Sequence, residues 1–242
     1  MQISPYTWLM VAGILLSLWF WSRHAPRARG MGIIYFSALV GAFAGGKLVY
    51  ILAEGWLHWN DPNRWMYLAT GKTILGALHG GYAGVEISKR AVGYSGVTGD
   101  FFATVAPVSI ILGRIGCLLH GCCLGVVCES KWYSIHDRTG IARWPAVPIE
   151  IAFNVVALLT LLLLRQRRLL PGQHFHLYLI GYGIFRFAHE FMRDTPSIIG
   201  PLSGYQITAV AVTLLGAIRF VQRQKHLAPA VQAAPETAPS GI

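Results

Sequence analysis

The chain has 242 residues, of which 54% are hydrophobic and only 12% are charged, and it carries a formal net charge of +10 at pH 7. A mean hydropathy of +0.50 is too high for a soluble domain of this size, so the composition indicates a membrane protein. The basic residues fall in short clusters between apolar segments. This pattern indicates membrane topology and argues against a nucleic-acid partner.

Apolar segments long enough to cross a bilayer recur along the chain, because about 20 residues at a rise of about 1.5 Å span the hydrocarbon core. The first segment lacks a preceding basic region and a small-residue cleavage site, so we expect a retained helix and not a removed signal peptide. The third is rich in glycine, which leaves room for a break or for close approach of neighbouring helices. The sequence therefore predicts an all-α, polytopic membrane protein with about seven transmembrane helices. The predicted spans are 6–21, 32–53, 66–88, 98–119, 147–164, 175–192 and 202–219.

The orientation follows from the short loops in which Lys and Arg collect. Clusters of basic residues follow the first, third, fifth and seventh predicted spans, whereas the opposite connections carry sparse or mixed charge. The positive-inside rule therefore places the N-terminus outside and the C-terminus in the cytoplasm. We divide the chain into a seven-helix membrane domain at 1–225 and a disordered cytoplasmic tail at 226–242, which is rich in Ala and Pro.

The stretch 112–125, LGRIGCLLHGCCLG, places an arginine, a histidine and three cysteines in or directly after an apolar helix. A charged side chain near the bilayer centre costs at least about 2.5 kcal/mol on insertion scales, so Arg114 should face the protein interior or a wet cavity. A second polar stripe lies on the sixth predicted span. The spacings of four, four and three put its members on one helical face. These residues are Tyr182, Arg186, Glu190 and Arg193.

The charges of these two helices do not balance. Arg186 and Glu190 can form an i,i+4 ion pair that neutralises itself. Arg114, Arg193 and Lys47 still leave positive charge unmatched in what the predicted orientation makes the outer half of the membrane. Such a surplus suits an anionic headgroup or a departing phosphate.

His79 stands near the middle of the glycine-rich third span and is followed by Gly80 and Gly81. Two glycines after an imidazole let another backbone or a substrate approach it closely. The alternative is an interior histidine that is satisfied by a hydrogen bond.

The four cysteines of the chain, Cys117, Cys122, Cys123 and Cys128, all lie at or beyond the predicted outer end of the fourth span. That side is oxidising in a bacterial-type cell, which favours one or two disulfides. The spacing C-x4-CC-x4-C differs from zinc-finger spacing, although His120 adds a fifth candidate ligand. Disulfides or structural thiols, a metal site and a catalytic thiol remain open interpretations.

A series of short motifs along nearly the whole chain resembles the prolipoprotein diacylglyceryl transferase family of seven-helix membrane enzymes. Each motif alone is weak, and their joint order and spacing carry the resemblance. The motifs are PYTWLMVAG with Tyr6, GGKLVYIL at 45–52, HGG at 79–81, GDFFATVAP at 99–107, GRIG at 113–116 with Gly121 and Gly125, VPIE at 147–150, IGYGIFRFAHEFMR at 180–193, and YQI after Gly204.

The resemblance implies transfer of a diacylglyceryl group from phosphatidylglycerol to the thiol of a prolipoprotein signal-peptide cysteine. It implies a multi-pass protein of the bacterial inner membrane, with phosphatidylglycerol and a lipoprotein signal peptide as partners and with no metal or redox cofactor. It further implies a base, His79, a phosphate clamp of Arg114 and Arg186, and a carboxylate, Glu190, that orients an arginine. The catalytic residues carried over are His79, Arg114, Tyr182, Arg186 and Glu190. The substrate-binding residues carried over are Tyr6, Lys47, Gly80, Gly81, Gly113, Gly116, Gly125 and Arg193.

The central motif departs from the family pattern. Where the family has two asparagines and an acidic residue after GRxG, this chain has Cys117, His120 and Cys122. An alternative function is therefore a relative that is not a transferase and uses the Cys/His cluster for metal binding or thiol chemistry at the outer face. The candidate ligands are Cys117, His120, Cys122, Cys123 and Cys128. A transporter is a third class, but the sequence shows no duplicated halves.

Overall fold

A computed structural model of the chain describes residues 5–24 and 28–232, with side chains except at residues 5–7, 10 and 226–232. Most of the described residues are helical, and two short antiparallel hairpins lie in the connections. The helices are α1 Pro5–His24, α2 Met31–Ala53, a 3-10 helix Gly55–His58, α3 Arg64–Thr70, α4 Ile74–Ala91, α5 Gly99–His120, α6 Ala146–Gln166, α7 His174–Glu190 and α8 Gly204–Gln232. The strands are β1 Ile135–His136, β2 Ala142–Arg143, β3 Ser197–Ile199 and β4 Leu202–Ser203.

The predicted all-α membrane class is confirmed in its main feature. Among the described residues, four helices are long and apolar enough to cross a membrane, namely Met31–Ala53, Gly99–His120, Ala146–Gln166 and Gly204–Lys225. Helices α1, α4 and α7 occupy three other predicted spans, and the total of seven stays a prediction. Helix α8 continues past the predicted domain boundary at 225, and 233–242 of the predicted tail lie outside the described residues.

The segment predicted as one span at 66–88 is two helices. Helix α3 ends at Thr70, and the hydroxyl of Thr73 caps α4 by accepting a hydrogen bond from the Gly76 amide at 2.9 Å. The ammonium of Lys47 donates to three carbonyls at the end of α3, with distances of 2.6 Å to Ala69 and 2.7 Å to Gly71, and a shorter contact to Leu68. These bonds satisfy carbonyls that a helix end leaves without intrahelical partners. Lys47 therefore stabilises the interruption between α3 and α4.

Helices α2 and α4 pack through glycines. A Cβ atom at Gly45 would lie 2.8 Å from the Cα of Gly80, and one at Gly80 would lie 2.9 Å from the Cα of Gly45. Glycine at both positions lets the two backbones approach closely, as small residues do in membrane helix pairs. The backbone of α2 thus approaches α4 closely at Gly80, which is one of the two outcomes that the sequence predicts for the glycines after His79.

Helix α5 packs against α1, α6 and α7, and α7 packs against α8. The carboxylate of Asp100, near the start of α5, accepts hydrogen bonds from the backbone amides of Gly172 at 2.7 Å and His174 at 3.3 Å. These bonds align the starts of α5 and α7. The end of α5, the start of α6 and the end of α7 consequently meet at the opposite end of the bundle, where the polar stripes lie.

Candidate active site

A cavity of about 1670 Å³ lies between the helices. It is larger than the roughly 300–1000 Å³ of common small-molecule pockets, and so has room for a lipid. Apolar side chains such as Leu78, Phe102 and Ile110 form its walls, while Arg114, Arg186 and Arg193 line one end. This is the combination that an amphiphile with an anionic headgroup requires.

Glu150, in the first turns of α6, is the centre of the charged cluster and is fully buried. The Nη2 atom of Arg114 lies 3.1 Å from its Oε1 and 2.9 Å from its Oε2. The Nη1 atoms of Arg186 and Arg193 each lie 3.7 Å from Oε2. Tyr182 donates its hydroxyl proton to Oε1 at 2.7 Å. One carboxylate therefore connects three guanidiniums contributed by α5, by α7 and by the residues directly after α7.

Sequence analysis missed Glu150 as a site residue. Its signal was available, because it is a carboxylate in the first turns of an otherwise apolar helix, and it ends the VPIE motif at 147–150. An intramembrane carboxylate is costly without a partner. Glu150 is therefore a partner for Arg114 that the sequence alone makes a candidate.

Glu190 forms the second carboxylate of the cluster. Its Oε2 lies 2.6 Å from the Nη2 of Arg186 and 3.7 Å from the Nε of Arg193. The Nη1 of Arg186 also lies 3.4 Å from the Nδ1 of His189. The predicted Arg186–Glu190 pair is thus present, and Arg193 is anchored on the same oxygen.

We call Arg114, Arg186, Arg193, Glu150 and Glu190 the arginine centre. Three guanidiniums and two carboxylates leave one unmatched positive charge, a smaller surplus than the sequence suggested, because Glu150 joins the cluster and Lys47 lies elsewhere. Within the arginine centre, four buried guanidinium nitrogens have no hydrogen-bond partner among the described residues. They are Arg114 Nε, Arg186 Nε, Arg193 Nε and Arg193 Nη1. The three arginines line the cavity, and unpaired buried donors beside a cavity favour an anionic ligand.

Tyr182 has no exposed surface and does not line the cavity. Its hydroxyl is one of a set of polar groups behind the arginine centre. Tyr178 donates to the Oδ1 of Asn154 at 2.7 Å, and the Nδ2 of Asn154 donates to the backbone carbonyl of Glu150 at 2.8 Å. This network fixes Glu150, which in turn fixes the guanidiniums.

The remaining residues carried over from the family are dispersed. His79 is half-buried at the edge of the cavity-facing side of α4, where Leu78 and Tyr82 line the cavity and His79 does not. Its Nδ1 lies 3.2 Å from the carbonyl of Leu75. Gly81 and Gly113 line the cavity, and Gly116 is buried in α5. The side chain of Tyr6 lies outside the described residues.

Gly125 packs where no side chain fits. A Cβ atom there would lie 2.7 Å from the Cβ of Trp144 and 3.0 Å from the carbonyl oxygen of Met192. The residue forms an antiparallel bridge with Arg193. Through this bridge, Gly125 connects the loop after α5 to the backbone of Arg193.

The loop between α5 and α6 is fixed by a second, more exposed set of charges. Arg143 lies 3.1 Å from the carboxylate of Asp137 and 2.8 Å from that of Asp194. Hydrogen bonds from the hydroxyl of Thr139, from backbone amides and from Arg143 lower the pKa of Asp137 to about 2. Asp194 and Asp137 together raise the pKa of Arg143. The loop is thereby held over the arginine centre.

All four cysteines are free, so disulfides, one of the interpretations that the sequence left open, are not formed in this structure. The sulfur atoms of Cys117, Cys122 and Cys123 lie within 4.8 Å of one another, and all three residues line the cavity. Of the other two candidate ligands, His120 is exposed, and Cys128 is not part of this group. The Nη1 of Arg114 lies 3.9 Å from the sulfur of Cys117, so the cysteines adjoin the arginine centre.

Comparison with known proteins gives consistent results. The family model described as prolipoprotein diacylglyceryl transferase matches residues 1–222. A phosphatidylglycerol–prolipoprotein diacylglyceryl transferase of Methylococcus capsulatus is 33% identical over 77% of this chain and 73% of its own length. Proteins with the same name from Cupriavidus metallidurans and Vibrio parahaemolyticus are 29% and 27% identical, over 91% and 93% of this chain and 89% and 88% of their own lengths.

Proposed function

The chain belongs to the prolipoprotein diacylglyceryl transferase family, and from this premise we propose its function. It transfers a diacylglyceryl group from phosphatidylglycerol to the cysteine thiol of a prolipoprotein signal peptide. The observation that carries this proposal is the arginine centre. It presents three cavity-lining guanidiniums, with unpaired buried donors and one surplus positive charge, at the end of an apolar cavity of about 1670 Å³.

The reaction is a displacement at a glycerol carbon. The thiolate sulfur forms a bond to that carbon as the carbon–oxygen bond to phosphate breaks, and glycerol 1-phosphate leaves with the electron pair. Negative charge develops on the phosphate oxygens in the transition state. Hydrogen-bond donors that already point at these oxygens stabilise the transition state most. The fork of a guanidinium fits two phosphate oxygens at once. We therefore assign the phosphate to Arg114, Arg186 and Arg193.

Glu150, Glu190 and Tyr182 act behind the arginines. Each carboxylate contacts at least two guanidiniums, which leaves those guanidiniums little freedom to rotate away from the cavity. Tyr182 donates to Glu150 and has no exposed surface, so we propose that it is a positioning residue. Donors fixed before the substrate binds need no reorganisation during the reaction, which is the main source of their catalytic effect.

The acceptor thiol must lose a proton, since a free cysteine has a pKa of about 8.5. We propose His79 as the base, because a neutral imidazole can accept a proton and this one lies at the edge of the cavity-facing side of α4. If so, His79→Ala should lose most of its activity near neutral pH and regain part of it at about pH 9, where the acceptor ionises unaided. A variant with the same fractional loss at both pH values would exclude this role.

We also propose that the arginine centre lies in the outer half of the bacterial inner membrane, with the N-terminus outside. A reporter joined after Lys225 should then be cytoplasmic, and a cysteine placed between 131 and 144 should react with an impermeant reagent added from outside. The basic clusters in the alternate loops support this orientation. An external C-terminus would reverse it.

The function is tested by transfer of labelled lipid in vesicles of phosphatidylglycerol that contain the purified protein and a signal peptide with one cysteine. Arg114→Ala and Arg186→Ala should abolish transfer while the protein remains inserted. Lysine at either position should restore little, because an ammonium lacks the planar fork. The matched control is Arg165→Ala, which removes an exposed arginine at the other end of α6. Full activity in Arg114→Lys would contradict the phosphate clamp.

A further inference from the structure

The transfer reaction proposed above assigns no step to the three cysteines beside the arginine centre. Cys117 is buried in the last turn of α5, and Cys122 and Cys123 follow the helix end. Gly121 ends the helix with φ of 69°, and Cys123 has φ of 61°. A positive φ is uncommon for a residue other than glycine. These two residues turn the chain back, so that the sulfurs of Cys122 and Cys123 approach that of Cys117.

The geometry of the sulfurs is close to that of a trithiolate metal site. Three sulfurs that share an ion at a distance of about 2.3 Å lie roughly 3.8 to 4.0 Å apart in tetrahedral or trigonal geometry. The sulfurs of Cys117 and Cys123 are 3.9 Å apart, and all three lie within 4.8 Å of one another. Closing the set around an ion therefore needs movements of less than about 1 Å. A disulfide would need only two of these sulfurs, so it would not account for the position of the third.

The charge of the surroundings suits such a complex. Three thiolates and a divalent ion carry a net charge of −1, and with a monovalent ion the net charge is −2. The arginine centre supplies one unmatched positive charge, and Arg114 already contacts Cys117 at 3.9 Å. A buried anion is tolerated when it is paired in this way. The three cysteines also line the cavity, so a fourth coordination position would be open to it.

We propose that Cys117, Cys122 and Cys123 bind one thiophilic metal ion, of the Zn²⁺ or Cu⁺ class, at the mouth of the cavity. Binding releases the three thiol protons and needs no oxidant. The bound complex neutralises the unmatched positive charge of the arginine centre, which would otherwise bind an anionic headgroup. Metal and phosphate consequently oppose each other at Arg114, a consequence that rests on the proposed transferase function.

The binding claim is tested without any activity measurement. The reduced full-length protein in detergent is treated with Zn²⁺ alone, or with Cu⁺ alone under a reductant that contains no sulfur, and is then alkylated. Intact-mass analysis should show one modified cysteine, Cys128, with the metal and four without it. Elemental analysis should give one ion per chain. Whichever ion protects the three thiols identifies the metal class.

Variants assign the ligands. Cys117→Ser, Cys122→Ser and Cys123→Ser should each lose the bound ion, whereas Cys128→Ser and His120→Ala should keep it. Binding that survives all three cluster substitutions, or reduced protein that leaves four reactive thiols in the presence of either ion, would overturn the proposal. A disulfide between cluster cysteines that persists in the purified protein and prevents metal uptake would do the same.

The opposition at Arg114 is measured separately as transfer activity with and without the metal. We expect bound metal to lower transfer in the unmodified chain and to leave transfer unchanged in Cys122→Ser. If neither protein shows transfer and the unmodified chain takes up the metal normally, the result would count against the proposed function and leave the metal site standing. Equal transfer with and without a bound ion would show that metal and phosphate do not oppose each other at Arg114.

Discussion

The arginine centre and the contact between α2 and α4 are both tightly packed, but different forces determine their geometry. At the arginine centre, five charged side chains set the distances between the helices. Glu150 contacts guanidiniums on α5, on α7 and on the segment directly after α7. Between α2 and α4 the absence of side chains at Gly45 and Gly80 sets the distance. In a membrane the hydrophobic effect does not drive helices together, so the attraction between α2 and α4 has to come from close van der Waals packing of their backbones. Charge therefore specifies the arginine-lined end of the bundle, and glycine packing specifies one contact between its helices.

The largest effect should come from Glu150→Ala. The substitution leaves Arg114 without its main partner and removes the shared contact of Arg186 and Arg193, so we expect a stability loss of about 3–5 kcal/mol and no transfer. Thermal unfolding in detergent and the lipid-transfer assay measure the two losses. Glu150→Gln keeps the shape and one acceptor oxygen, and should recover stability more than activity. Wild-type transfer in Glu150→Gln would show that the charge of Glu150 is dispensable.

An intermediate effect is expected at the glycine contact. Gly80→Val inserts a side chain where even a Cβ atom would lie 2.9 Å from the Cα of Gly45, so α2 and α4 must separate. Overpacking of this kind costs roughly 1–3 kcal/mol. Transfer per folded molecule should fall less than in Glu150→Ala. The control is Gly32→Ala, since a Cβ atom at Gly32 would have no atom within 4 Å apart from its chain neighbours and the backbone of its own helix. Equal stability of the two variants would contradict the role assigned to the contact.

A smaller effect on transfer is expected for Cys117→Asn, which restores the residue that the resemblance assigns to the family. Arg114, Arg186 and Arg193 keep their carboxylate partners in this variant, so transfer should continue. Metal binding should be lost, because one of three sulfurs is removed. Loss of transfer in a well-folded Cys117→Asn protein would instead give the cysteines a part in the chemistry.

The smallest effect concerns the loop over the arginine centre. The pKa of Asp137 is lowered to about 2, so its stabilisation of the loop is fully present above the unfolded value and is lost as pH falls towards about 2. Cleavage of the loop by pepsin should therefore rise steeply between about pH 4 and about pH 2. Asp137→Asn should be cleaved at a rate that varies less over this range. An unmodified protein whose loop is already open at the upper pH would refute the prediction.

The sequence predicted the helices well and the site in part. Hydropathy located α2, α5, α6 and α8, because each is a long apolar segment. The glycines of the third span left room for a break, but hydropathy could not locate it at 71–73, because its position depends on Lys47 reaching three carbonyls from another helix. Helical spacing placed Arg186 and Glu190 together because they share one helix. It could not show that Glu150, on α6, is the common partner of three arginines, since that requires the packing of three segments.

The backbone bonds around Gly125 determine where the chain can change its length. Val126 donates to Met192 at 3.1 Å, and Trp144 donates to Val126 at 2.9 Å, so the two ends of the intervening loop are pinned to each other and to the segment that carries Arg193. Residues inserted or deleted between these anchors need not displace the guanidinium. The exposed loop can thus vary in length while the guanidinium of Arg193 stays in place, and an epitope tag near the exposed Trp132 would be a convenient marker for following the protein.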